Sequence, residues 1–186
     1  MRLRNRRGFT LVELLVVIAI IGILAAVVAP NAFRAIEKAK ISRVKADAKN
    51  LRSAALSYYA DMGFFPPDVN RGVDPGLMTK VTSNLTTEQI ATLNQNWNGP
   101  YMDRWPDTTP WGGEYDWNLW KVRTNRNGHD VEAGLYIGIV PAIGSSTVGA
   151  ITPEGEKQLY DEGFDSDGSA SNREVQLLLV RWDDYN

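Results

Sequence analysis

The chain has no cysteine and a single histidine, His129, in 186 residues. Without cysteine there is no disulfide and no thiol nucleophile, even in an exporting compartment where disulfides persist. One histidine with no thiolate leaves few routes to a zinc site. His129 stands in Asn127-Gly128-His129-Asp130, which reads as a surface turn. The sequence carries no nucleophile-elbow serine and no phosphate-binding glycine loop. No pair of carboxylates is marked out for acid–base work, and there is no internal repeat or low-complexity tract. These absences leave little room for an enzyme.

Net charge is also nearly missing, at −2, but the balance hides an asymmetry. Residues 31–52 hold seven bases (Arg34, Lys38, Lys40, Arg43, Lys45, Lys49, Arg52) against Glu37 and Asp47. Residues 53–186 hold nine bases against nineteen acids. An acidic C-terminal part argues against a nucleic-acid partner. The basic stretch fits two uses: packing against the acidic part of a neighbouring copy, or lying near anionic lipid headgroups.

What the chain does have is one long apolar run, FTLVELLVVIAIIGILAAVVAP from Phe9 to Pro30, preceded by RLRNRRG. The run is long enough to cross a bilayer. Inside it sits one ionisable side chain, Glu13. A carboxylate at membrane depth costs roughly 2.5–3.5 kcal/mol on insertion scales, so Glu13 needs a named partner. An ordinary secretory signal would be cut near Ala26 to Ala29, leaving Pro30 just past the cut, and would not carry Glu13. A plain single-span anchor would leave Glu13 unexplained. A cut after Gly8 would supply the partner, because it makes Phe9 a positive amino terminus one helical turn from Glu13.

The string Arg6-Arg7-Gly8-Phe9-Thr10-Leu11-Val12-Glu13-Leu14-Leu15 resembles the class III signal of type IV prepilins and of the pseudopilins of type II secretion. That resemblance implies cleavage between Gly8 and Phe9 by a prepilin peptidase, methylation of the Phe9 amine, and pairing of Glu13 with the amine of a neighbouring subunit. It implies a cytoplasmic amino terminus, in line with the four leader arginines. The head would then be periplasmic on an inner-membrane anchor. The expected partition is a leader over 1–8, a transmembrane and assembly half-helix over 9–30, an amphipathic half-helix over 31–62, and a globular head over 63–186. Within the head, 63–99 is a connector, and 100–186 carries the sheet and the C-terminal loop.

Phe33, Ile36, Val44, Leu51, Ala55, Tyr58 and Tyr59 recur at three- and four-residue spacings, so the helix is expected to run on from the apolar segment to about Met62. Its length would be about fifty residues, or roughly 80 Å. Pro30 should interrupt it and Gly22 weaken it. In pilins, glycine and proline at matching places mark a segment that loses helicity in the fibre. Gly63 followed by Pro66 and Pro67 reads as the helix stop, and Thr86-Thr87-Glu88-Gln89 opens a short helix over 86–93. Strands are expected over 115–122, 131–140 and 174–182. The fold class is α+β: a pilin-like lollipop, with a long N-terminal helix packed on a small antiparallel sheet.

The segments Gly99-Pro100-Tyr101 and Pro110-Trp111-Gly112-Gly113-Glu114-Tyr115-Asp116-Trp117 are similar to part of the major pseudopilins of type II secretion, with two extra residues between Asp107 and Pro110. Trp111, Tyr115 and Trp117 alternate as an inward-facing strand would, and are expected to form the head core. Major pseudopilins bind calcium in a C-terminal loop, where many type IV pilins use a disulfide. Asp165 and Asp167 offer hard oxygen ligands in that region, although a turn rich in Asp, Ser and Gly needs no metal. The resemblance therefore implies a homopolymeric fibre, served by a peptidase, a platform protein, a cytoplasmic ATPase and minor pilins or pseudopilins. The missing cysteines and the Pro-Trp-Gly segment favour the major pseudopilin. The longer head favours the alternative, a type IV pilin for adhesion, twitching or DNA uptake.

Overall fold

The structure is a computed structural model that describes residues 9–120, 124–126, 129–164 and 175–184. The chain divides into two compact units, Met1–Ala39 and Lys40–Asn186. Helix α1 (Leu11–Met62) contributes to both. Then follow α2 (Thr87–Asn96), β1 (Glu114–Trp120), β2 (Thr124–Arg126), β3 (His129–Val131), β4 (Gly134–Val140), α3 (Pro153–Asp161), β5 (Val175–Arg181) and a 3₁₀ turn (Trp182–Asp184).

In the first unit, α1 is long and apolar enough to cross a membrane, and its apolar window is wholly uncovered. Phe9, Leu11, Ile18, Ile23 and Val27 are all exposed. Pro30 does not end the helix, which continues on both sides of it. What the proline removes is the amide that would have bonded the Ala26 carbonyl. Phe33 and Ile36 keep the helical spacing of the buried positions but are exposed. The helical period reports a face and not what covers it.

In the second unit, Ile41, Val44, Ala48, Leu51, Ala55, Tyr58 and Met62 form the buried face of α1. They share one core with Tyr115 and Trp117 of β1, Ile137 and Ile139 of β4, and Leu177 and Leu179 of β5. The three strands make an antiparallel sheet in the order β1-β4-β5. Trp117 pairs with Ile137 and Ile137 with Leu177, so the large apolar side chains line up across the sheet. The bonding is uniform except for a bulge at Leu135/Tyr136. Gly63 closes α1 at φ 73°, its amide bonding the Tyr59 carbonyl at 2.7 Å.

Three expectations change. The strand expected over 131–140 is split: Val131 closes the small β2–β3 hairpin, and the long strand starts at Gly134. Trp111 is not on the strand with Tyr115 and Trp117. Gly112, at φ 87°, turns the chain between them. Trp111 is half-buried at the margin of the core, with the Lys40 ammonium 5.7 Å from its ring centroid. Helix α3 was not foreseen, although Thr152 caps it, accepting from the Gly155 amide, and Pro153 stands at its first position.

Two polar arrangements fix the connector and the head. The Asp74 carboxylate accepts from the amides of Gly76, Leu77, Met78 and Thr79 at 2.8–3.2 Å. Replacing Asp74 with alanine strips four backbone donors at once. The expected loss is about 2–4 kcal/mol, read as a lower urea midpoint at unchanged slope.

The buried tyrosines give the second arrangement. Burial raises the Tyr58, Tyr101 and Tyr115 phenols above their ordinary range, and pushes Tyr136 up to about 12 with Glu132 adding to the effect. Tyr115 also donates to Asp47 on α1 at 2.8 Å, and that carboxylate raises it further. A phenol whose folded pKa lies above its unfolded value holds its proton more tightly when folded. Its contribution is whole below about pH 10 and declines as pH rises toward the folded value. The head should therefore lose stability between about pH 10 and 12, with phenolate absorbance rising as it unfolds. Phenolate appearing near pH 10 with no change in melting temperature would contradict this.

Candidate assembly site

The start of α1 is built by local hydrogen bonds. Thr10 is the residue before the first helical position, and Glu13 is the third position inside. The Thr10 hydroxyl accepts from the Glu13 amide at 3.2 Å. Glu13 Oε2 in turn accepts from the Thr10 amide and the Thr10 hydroxyl, both at 2.8 Å. This is a capping box, which satisfies two of the amides a helix start leaves open. The Thr-x-x-Glu spacing announced it, but Glu13 alone drew attention in the sequence.

The geometry gives Glu13 two separate capacities. Oε2 is engaged by Thr10, while Oε1 takes no hydrogen bond from any described residue. A carboxylate has about four acceptor sites, so a second donor can be held without opening the cap. Phe9 precedes Thr10 in the chain and is 75% exposed. Gly8 lies outside the described residues. Gly22 faces open space, with no atom near enough to meet an added side chain.

Asp165 and Asp167, the expected calcium ligands, also lie outside the described residues. Among the described residues no cluster of three potential metal ligands occurs. Just before that loop, Lys45 on α1 bonds Glu162 and lies over the Phe164 ring at 4.8 Å. Gln158 holds the other Glu162 oxygen at 2.9 Å. These contacts tie the end of α3 to the long helix.

Residues 3–29 match the family model for the prokaryotic N-terminal methylation motif. Residues 35–128 match the model described as PilW, C-terminal. The chain is 36% identical to type II secretion system core protein G of Pseudomonas aeruginosa over 118 residues, covering 63% of this chain and 76% of that protein. It is 34% identical to the Vibrio cholerae core protein G over 117 residues, covering 62% and 73%. Among solved structures, the major type IV pilin PilA1 of Clostridium difficile aligns over 78% of this chain and 97% of that one, at 23% identity and a TM-score of 0.43. The methylation motif, the long apolar helix and the small antiparallel sheet define a pilin-like subunit. The chain belongs to the type II secretion system core protein G family.

Proposed function

We propose that this chain is the polymerising structural subunit of a type II secretion fibre. It is inserted in the inner membrane with its head on the periplasmic side. A prepilin peptidase cuts it after Gly8 and methylates the Phe9 amine. The new ammonium pairs with Glu13 of a neighbour, and a platform protein and ATPase draw the subunit into the fibre with minor pseudopilins. Its role is structural rather than catalytic.

The observation that carries this reading is the Glu13 carboxylate: capped through one oxygen, with acceptor capacity left on the other, at the start of an uncovered apolar helix. A lone charge in lipid is unfavourable, and an ammonium from the next subunit offsets that cost in the assembled state. Polymerisation is thereby coupled to processing, because the uncut chain has no cation at Phe9.

Mass spectrometry of the N-terminal peptide from membranes tests the reading. It predicts a chain beginning at methylated Phe9 in cells with the peptidase, and the intact leader without it. A chain that keeps its leader in both would sink it.

A further inference from the structure

The stretch of α1 just beyond the apolar run has a composition that the Glu13 site does not explain. Phe33 is 72% and Ile36 54% exposed, although both are large and apolar. Arg34 and Lys38 stand one helical turn apart among them and are exposed too. Glu37, the acid of this stretch, is half-buried. Helix α1 is unbroken here, so the helical rise sets the depth of each residue in a membrane. From Leu11 to Pro30 the helix rises about 30 Å, the thickness of a hydrocarbon core. Phe33 to Lys38 then lie roughly 5–12 Å beyond that core. Helical side chains tilt toward the helix N-terminus, which here is back toward the bilayer. Long basic side chains at that depth reach the headgroups.

We infer that Arg34 and Lys38 bind the phosphates of anionic phospholipids in the leaflet on the head side. Phe33 and Ile36 lie among the uppermost acyl carbons. This collar is continuous with the uncovered apolar window of α1. An acidic surface on a second copy would match the two bases, but it would set Phe33 and Ile36 against carboxylates. A lipid interface satisfies both kinds of side chain at one depth. The inference rests on the membrane anchoring proposed above, and not on the Glu13 pairing. On that reading Arg2, Arg4, Arg6 and Arg7 leave with the leader, so the processed chain keeps bases on the head side of the span only. The collar then holds the span at its depth.

The test is native mass spectrometry of the full chain in detergent micelles doped with phosphatidylglycerol or phosphatidylcholine. The chain should retain phosphatidylglycerol in preference. Arg34→Gln should weaken that retention about fivefold, and Arg34→Gln with Lys38→Gln at least about tenfold. The leader arginines are the same in every variant, so their lipid binding cancels. Lys49→Gln with Arg52→Gln removes the same charge about 30 Å beyond Pro30, and should leave retention unchanged. Equal losses in the two double variants would reduce the effect to net charge and overturn the inference. So would unchanged retention in Arg34→Gln with Lys38→Gln, or equal retention of the two lipids by the wild type. Loss of self-association in that variant, with lipid retention intact, would place the bases against a second copy instead and also overturn it. A chain that keeps its leader in cells would sink the fibre reading without altering any of these outcomes.

Discussion

Glu13→Ala will leave insertion and leader removal intact and abolish fibre assembly. Removing the carboxylate lowers the insertion cost by roughly 2.5–3.5 kcal/mol, so membrane levels should hold or rise. The helix start loses only half its cap, because the Thr10 hydroxyl still accepts from the amide of residue 13. On the proposed reading, what disappears is the partner for the neighbour's ammonium. Glu13→Gln separates the two roles: its amide oxygen can keep the Thr10 bonds, but it carries no charge. The account predicts that both variants fail, with at least about tenfold fewer fibres, since one buried charge pair is worth several kcal/mol when its partner is removed. Assembly at normal levels in Glu13→Gln would reduce Glu13 to a helix cap.

Gly113→Ala should be among the most damaging single changes in the head. A methyl group there would fall well inside contact distance of the Val140 and Gly149 carbonyl oxygens. Both are backbone atoms, so no side chain can swing aside. Gly149 meets the same obstacle from the other side, against the backbone of Gly112 and Gly113, and its φ of 74° is itself unfavourable for other residues. The two glycines let the turn before β1 cross the loop after β4, and that crossing sets the edge of the sheet. The Thr109 amide donates to the Gly113 carbonyl at 3.0 Å, which further holds the turn in place. The expected cost is about 3–5 kcal/mol, or a fall of roughly 10–15 °C in melting temperature. Gly112→Ala should cost less, because nothing stands near its missing side chain and only its φ of 87° resists the change. Equal melting temperatures for wild type and Gly113→Ala would show that the crossing is not fixed.

The sequence was most legible where one physical signal dominated. The long helix followed from an apolar run joined to an amphipathic one, and Gly63 with two prolines marked its end. Strands β1 and β5 followed from short apolar or alternating runs. The failures share a cause: local pattern was read without its surroundings. Trp111 keeps the strand parity of Tyr115 and Trp117, but the turn at Gly112 takes it off the strand. Helix α3 has few apolar residues, only Leu159 of them fully buried, so periodicity could not reveal it. Its Thr152-Pro153 start could have. Phe33 and Ile36 have the right phase and no cover, because a single chain cannot show what a neighbour or a bilayer would bury. The candidate site was visible through Glu13, whereas the second capacity of its carboxylate became clear only once Thr10 was seen to hold Oε2.

The most direct test of the central claim is a strain lacking this chain, scored in the same cultures for exoprotein location and for surface fibres. The account predicts that enzymes normally released will be trapped in the periplasm while long surface pili remain. Full secretion with surface pili lost would contradict it and make the chain a surface pilin.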